Sequence, residues 1–263
     1  MSAGRVSQQP FFGAIALLFA VSVTGTIRWC TSMSAMGEMP MPGGWTLSNA
    51  WTRMCGQTWS YSASSFLGMW MLMMVAMMLP SFAPVLWRYR ESFGRVSATR
   101  RAWLTTLMGA GYFSVWMAFG IVAYAVGVAL AALELQWPVL ARAVPIAGAL
   151  VVLGGGALQL TAWKAHHLAC CRSAPARDGI SPVRASTVLQ CGMHHGLHCA
   201  YCCAGLTAIL LVIGIMDLRM MALVKAAITA ERLLPDGERV ARGVGVVVVG
   251  AGVWLFMRAA LLA

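Results

Sequence analysis

Long stretches without a charged residue dominate the hydrophobic pattern of this chain. Three of them cover residues 10–27, 59–87 and 102–133. A helix needs about 20 consecutive apolar residues to cross the hydrocarbon core of a bilayer, whereas a helix of a soluble protein is rarely apolar on all sides. The pattern therefore predicts an all-α protein, a polytopic bundle of transmembrane helices that forms a single domain over residues 1–263.

About seven membrane helices are expected from the positions of these runs. The sixth of them is short and contains Lys225, so a count of six stays open if this segment lies at the membrane interface. The predicted spans cover residues 10–29, 62–87, 102–133, 139–163, 192–216, 218–234 and 240–260.

Composition and charge support a membrane location. Apolar residues make up 60% of the chain and charged residues only 10%, against roughly a quarter charged in soluble domains. The net charge of +11 comes from arginines that gather at residues 88–101, 164–186 and 235–242. Arginine-rich loops stay in the cytoplasm, so the N-terminus is predicted to be cytoplasmic too. The basic charge thus gives no reason to expect a nucleic-acid partner.

One long connection is predicted outside the membrane, at about residues 30–58. Its centre, residues 33–44, reads MSAMGEMPMPGG, and the proline and glycine residues exclude a regular helix there. Cys30 and Cys55 flank this loop on the side where disulfides can form. They could form a disulfide or act as further metal ligands, and the sequence leaves both alternatives open.

Cysteine and histidine concentrate on either side of the second basic loop. Six of the eight cysteines and all five histidines lie between residues 166 and 203. The favoured metal ligands are Cys170, Cys171, His195, His198, Cys199, Cys202 and Cys203, with His166, His167, His194 and Cys191 as reserve candidates. Because one group closes the fourth span and the other opens the fifth, both are predicted to lie at the cytoplasmic membrane face.

The spacing of these residues favours their convergence. Residues three and four apart share a helix face, as do Cys191, His195, His198 and Cys202 in the fifth span. Thiolate and imidazole are ligands for zinc and for soft ions such as Cu(I). The pattern therefore indicates a metal site for which copper, as Cu(I), is the favoured ion and zinc the second. Haem is disfavoured because it leaves the cysteines unexplained.

Methionine is the other unusual feature, with 19 residues in the chain. In the second span, Met69, Met73 and Met77 recur every four residues and therefore share one helix face. The external loop holds four candidates for soft-metal capture, which are Met33, Met36, Met39 and Met41. Thioether sulfur binds Cu(I) and Ag(I) but competes poorly for Zn²⁺ or Mg²⁺. The loop is thus predicted to bind a soft metal, while the methionines of the span fit either packing or metal guidance.

Several motifs together resemble the DUF2182 family, bacterial integral membrane proteins described as predicted metal-binding. The matching segments are residues 76–80 (AMMLP), 171–172 (CR), 195–199 (HGLHC), 202–203 (CC), 216–221 (MDLRMM) and 231–235 (ERLLP). The chain departs from the family at Ala204, where an aromatic residue is common. The resemblance implies a multi-pass protein of the bacterial cytoplasmic (inner) membrane that contains a metal site.

Three functions are compatible with these residues. The favoured one is the handling of copper in transport, homeostasis or delivery, with the lipid bilayer as environment and a metal chaperone or a metalloenzyme membrane complex as partner. It requires no catalytic residue, so the protein is not expected to be an enzyme. The second is a membrane thiol–disulfide oxidoreductase that uses Cys199 and Cys202, a CxxC at a helix start, where the helix dipole can lower a thiol pKa. The third is a haem-binding membrane subunit with two axial histidines.

Overall fold

Eight α-helices make up nearly all of the described part of the fold, as the uncharged runs predict. The computed structural model describes residues 3–34, 37, 39–53, 56–93, 96–173 and 184–262. Its helices are α1 Ala3–Ser34, α2 Trp59–Glu91, α3 Ala98–Gln136, α4 Pro138–Gln159, α5 Ala162–Arg172, α6 Ala185–Ile213, α7 Leu218–Leu233 and α8 Gly237–Leu262. Within the described residues, all of them except α5 and α7 are long and apolar enough to cross a membrane. The protein is therefore a helical bundle with six candidate membrane spans.

The expected count of seven spans is corrected to six at residues 218–234. This segment forms α7, which has 16 residues, and a helix of that length covers only about 24 Å of the roughly 30 Å hydrocarbon core. The carboxylate of Asp217 caps its start by accepting hydrogen bonds from the backbone N–H groups of Arg219 and Met220. Its last turns carry Glu231 and Arg232, which are both buried inside the bundle.

The fourth predicted span, residues 139–163, is divided into two helices. α4 ends at Gln159, and Thr161 then caps α5 by accepting a hydrogen bond from the backbone N–H of Lys164. A threonine hydroxyl can bond nearby backbone groups, which favours a helix cap over a helix interior. The cysteines and histidines that follow therefore lie on a separate short helix and not at the end of a straight membrane span.

The directions of the helices follow from residues that approach each other. α1 is antiparallel to α2, because Phe11 packs on Trp87 with 5.1 Å between ring centroids while Gly25 approaches Leu72. α8 is antiparallel to α4 and packs extensively on it, whereas α3 and α6 run parallel, as do α2 and α7. The α2–α3, α5–α6 and α7–α8 connections thus share one end of the bundle, which we call the inner end. The opposite end is the outer end.

A small hairpin covers the outer ends of α3 and α4. Strands β1 Met39–Met41 and β2 Trp45–Leu47 pair antiparallel, with Met41 opposite Trp45. The hairpin is fixed in place because the indole Nε1 of Trp45 donates a 2.8 Å hydrogen bond to the carbonyl of Ala141. The predicted external loop therefore contains short, ordered structure.

Candidate metal centre

Four buried cysteines form the centre of the candidate site. We call Cys171 of α5 with Cys199, Cys202 and Cys203 of α6 the thiol cluster; each of them is at most 2% exposed. Cys171 and Cys203 each lie close enough to both Cys199 and Cys202 to affect their thiols, so the four thiols form one group. Cys202 and Cys203 follow Cys199 by three and four residues and so lie on its side of α6, whereas the sequence predicted a face shared by Cys191, His195, His198 and Cys202.

The thiol cluster lies nearer the middle of the bundle than the helix ends where it was expected. α6 starts at Ala185, seven residues before the predicted span, so Cys199 lies at the middle of the helix, about 21 Å from either end. Two of its side-chain partners, Tyr112 of α3 and Met78 of α2, also come from the middle part of long helices. The hydroxyl of Tyr112 in α3 donates a 2.9 Å hydrogen bond to the Cys199 sulfur. The cluster is thus enclosed by the bundle.

A buried arginine is directed at the thiol cluster. The Nη1 of Arg232 donates hydrogen bonds to the sulfur of Cys199 and to the hydroxyl of Ser81, both at 3.1 Å. Its Nε and Nη2 have no hydrogen-bond partner among the described residues. Since a guanidinium stays protonated in proteins, this side chain places a fixed positive charge beside the sulfur atoms.

A second buried cation is held next to the cluster by an ion pair. The Nζ of Lys164 lies 2.7 Å from a carboxylate oxygen of Glu231 and donates a further 2.7 Å hydrogen bond to the carbonyl of Cys202. Gln159 donates to the other oxygen of Glu231. Burial alone would lower the pKa of Lys164, but Cys202, Cys203 and Glu231 outweigh it and raise this pKa. The lysine therefore stays charged and fixes α5, α6 and α7 to one another.

The methionines of α2 form a buried stripe that leads to the thiol cluster. This methionine stripe consists of Met69, Met73, Met74, Met77 and Met78, which are all at most 3% exposed. At its inner end, the Cys199 thiol contacts the thioether of Met78 with 4.0 Å between the two sulfur atoms. Thioether and thiol donors are thereby continuous through the middle of the bundle.

The histidines form a separate group on the outside of α5 and α6. His198 contacts His167 through the two Nδ1 atoms at 2.9 Å and His194 through the two Nε2 atoms at 3.1 Å. His166 and Cys170 contact each other at 3.8 Å on the exposed side of α5. We call these five residues the histidine cluster. Burial, followed by the nearby His166, lowers the pKa of His167, which keeps its imidazole neutral and able to bind a metal.

Two of the predicted ligands join neither cluster. His195 is buried against the stacked rings of Phe82 and Tyr112, and its Nε2 has no hydrogen-bond partner among the described residues. Cys191 is half-buried and shares a hydrogen bond with Tyr89. The eleven candidates thus divide into a thiol cluster, a histidine cluster and two separate residues.

The structure places the external methionines in different surroundings. Met33 lines a cavity at the outer end, Met39 is exposed, and Met41 is buried with Leu47 in a small apolar cluster under the hairpin. Met36 lies outside the described residues. The two alternatives for Cys30 and Cys55, a disulfide or metal ligation, both stay open because Cys55 also lies outside the described residues.

The donor chemistry fits a soft metal. No three His, Cys, Asp or Glu side chains in the described ranges have the arrangement of a formed metal site; the thiols instead contact each other and Arg232. Binding an ion therefore requires metal–sulfur bonds to replace these contacts. Four thiols with an adjacent thioether suit Cu(I), whereas Mg²⁺ and Ca²⁺ require oxygen ligands.

Sequence reasoning missed the charged residues around the thiol cluster. Lys164 and Arg232 were counted with the basic clusters, and Glu231 was named only as part of the family motif at residues 231–235. A signal was nevertheless present, because charged residues within apolar segments usually mark functional sites in membranes. Tyr112 carries no comparable signal, since one tyrosine in a long apolar helix is ordinary.

Comparison with known protein families links this chain to copper. The family model PpoB2, described as copper chaperone, matches residues 67–255, a range that contains the whole methionine stripe and the whole thiol cluster. The chain belongs to this family. No curated protein and no solved structure matches it. The chain is therefore a multi-pass membrane protein with a copper-related function.

Proposed function

We propose that the protein carries Cu(I) within the membrane and delivers it to another protein. The contact between Met78 and Cys199, with 4.0 Å between the sulfur atoms, is the observation that carries this proposal. It joins the methionine stripe to the thiol cluster, so neutral thioethers lead to thiols that bind copper as thiolates. Both donor types prefer Cu(I) to hard cations, and the membership of the chaperone family points to the same metal.

The position of the histidine cluster supports delivery of the metal to a partner. It lies on the exposed side of α5 and α6, beside the exposed rings of Trp163 and Tyr201. Imidazole is a ligand for copper and zinc, so a membrane partner that docks on this face would reach donors close to the thiol cluster. The resemblance to the DUF2182 family favours the bacterial inner membrane as the place of this delivery.

The two alternative functions receive less support from the geometry. Cys199 lies at the middle of α6, where the dipole of a helix start cannot activate a CxxC pair. Axial histidines of a haem lie on opposite faces of the macrocycle, but His167 and His198 are in direct contact at 2.9 Å. We therefore propose a binding and delivery role without catalysis.

Metal stoichiometry after replacement of the thiols tests this proposal. Changing Cys199 and Cys202 together to Ser nearly preserves their shape but removes two sulfur donors from the cluster. The variant should therefore elute in size exclusion like the wild type and bind much less Cu(I) per chain by elemental analysis. The matched control is Cys170→Ser with Cys191→Ser, since neither residue belongs to the thiol cluster; it should keep most of the bound copper.

Two results would contradict the proposal. Copper at the wild-type level in the Cys199/Cys202 variant would exclude the thiol cluster as the main site. Thiol–disulfide exchange with a model disulfide, lost in the same variant and independent of added copper, would support the oxidoreductase instead.

A further inference from the structure

A cavity of about 630 Å³ opens at the outer end between α1 and α2. Three methionines from distant parts of the chain line this outer cavity. They are Met33 near the end of α1, Met69 in α2 and Met216 in the link between α6 and α7. Helical periodicity cannot produce this grouping, because the three residues lie on three separate segments. The fold itself brings the thioethers to one cavity.

The other residues of the outer cavity make it unsuitable for hard divalent cations. No Asp or Glu belongs to its lining among the described residues, and the cationic Arg28 does. The polar remainder consists of hydroxyl, amide and indole groups such as those of Asn49 and Ser62. Ca²⁺ and Mg²⁺ depend on carboxylate oxygens and zinc on Cys, His or carboxylate. Thioether is a ligand that selects Cu(I) instead.

We propose that the outer cavity is the site where a monovalent soft cation, Cu⁺ or its analogue Ag⁺, first binds, with Met33, Met69 and Met216 as its ligands. This inference rests on the copper-carrying role proposed above and names the place where that role begins. Met69 is 1% exposed, so it faces the cavity from inside the bundle and belongs to the methionine stripe as well. A cation held there is already at the outer end of the stripe.

The distance from the cavity to the thiol cluster is short. Met78 follows Met69 by nine residues, which corresponds to about 14 Å along the helix axis. Met73, Met74 and Met77 lie between them and are all buried. A cation that leaves the cavity along α2 thus passes sulfur donors at each turn before it reaches Cys199.

The other described loop methionines are not part of this site. Met41 is buried against Leu47, Ala131 and Ala141 under the hairpin, and Met39 is exposed on the same strand. Neither residue lines the outer cavity. They serve as matched controls, because a Met→Leu change there also removes a thioether sulfur at the outer end of the bundle, but outside the cavity.

Silver binding to the full chain without its thiol cluster tests the cavity directly. In the variant with all eight cysteines changed to Ser, about one Ag⁺ per chain should remain bound with thioether sulfur as its ligand. Elemental analysis gives the stoichiometry, and X-ray absorption identifies the ligands. Adding Met33→Leu and Met216→Leu should remove this ion, whereas adding Met39→Leu and Met41→Leu should leave it in place.

A failure of the cavity proposal can be told apart from a failure of the proposed function, because different variants test the two. The thiol replacement alone tests that function, whereas the methionine replacements alone test the cavity. A residual Ag⁺ that survives the loss of Met33 and Met216 would overturn the inference, and so would a thiol-free chain that binds no Ag⁺. If the thiol-free variant does not fold, the same methionine changes in the wild-type chain should lower the Ag⁺ stoichiometry by one, and unchanged stoichiometry would overturn the inference.

Discussion

At the scale of single residues, Arg232 sets the electrostatics of the thiol cluster. The carboxylate of Glu231 is already paired with Lys164, so the charge of Arg232 is not balanced by that group. A buried cation without a partner is unfavourable. A Cu(I) ion bound by two or more thiolates has a net negative charge, which the guanidinium offsets. The arginine is therefore expected to stabilise the metal-loaded cluster more than the metal-free one.

This expectation predicts the effect of Arg232→Met. The change keeps an unbranched side chain but removes the charge and the hydrogen bond to Cys199. A hydrogen bond to a charged group contributes about 1.5–3 kcal/mol, so the affinity for Cu(I) should fall roughly tenfold to a hundredfold. Competition with a Cu(I) chelator measures the affinity, and thermal unfolding in detergent measures stability.

The control for this variant is Arg242→Met on α8. Arg242 is exposed and forms its ion pair with Glu238 at 2.6 Å, away from the thiol cluster. Its replacement removes the same charge from the chain and should leave copper affinity unchanged. Equal affinities for the Arg232 variant and the wild type would exclude a role of this charge in metal binding.

The sequence predicted the chemical type of the donors better than their grouping. The predicted stripe on α6 joined Cys191, His195, His198 and Cys202, of which only Cys202 belongs to the thiol cluster, where Cys171 of the neighbouring helix lies beside it. The structure separates the two histidines of this stripe, His195 and His198, into a buried ring and an exposed cluster. Spacing along one helix defines a face, but the neighbouring helices decide which part of that face is buried, and their positions are not encoded in local periodicity.

At the scale of elements, glycine allows α3 and α6 to approach closely enough to place Tyr112 on Cys199. A methyl group on Gly196 would lie 2.7 Å from the carbonyl of Tyr112, and one on Gly111 would collide with the backbone of Leu189. Small residues allow such close backbone packing between membrane helices. The contact is therefore specific to this helix pair and rigid.

Gly111→Ala should separate the two helices. Alanine is the better helix former, so the change should lower the stability of the fold only through the collision. An overpacked contact costs about 1–3 kcal/mol. The melting temperature in detergent should fall, and copper stoichiometry should fall with it because Tyr112 moves away from Cys199. Gly109→Ala in the same helix is the control, since nothing lies within 4 Å of the added methyl group. A melting temperature of the Gly111 variant equal to that of the control would contradict the packing argument.

The elements themselves were predicted to different degrees. The positions of five long spans agree with the helices to within a few residues at most ends, because an uncharged apolar run leaves few other structures in a bilayer. The fourth span was wrong in its continuity, since the local bond of the Thr161 hydroxyl ends one helix and starts the next. The hairpin was not predicted, because it depends on Trp45 reaching a carbonyl of Ala141 nearly a hundred residues away.

At the scale of the whole molecule, the basic connections meet at one end. The parallel course of α3 and α6 places the connections that precede them together, and Arg172 of α5 donates a 3.1 Å hydrogen bond to the carbonyl of Pro235 between α7 and α8. This agrees with the sequence argument that groups the arginines on one side. Charge determines which side of the membrane this is, and the cytoplasmic orientation of the N-terminus stays a prediction.

Labelling of introduced cysteines with a membrane-impermeant maleimide tests that orientation. Thr99→Cys reports the inner end, because Thr99 is exposed in the first turn of α3 beside Arg100; it also spares Ser97, whose side chain caps the helix. Ser181, a further reporter position in the second basic loop, lies outside the described residues. Ser60→Cys reports the outer end, since Ser60 is exposed at the start of α2. In intact cells, Ser60→Cys should be labelled more than the parent chain. Thr99→Cys should be labelled only after permeabilisation, because moving the nearby arginines across the membrane is unfavourable. The reverse pattern would invert the topology and place the outer cavity, with its three methionines, on the cytoplasmic side.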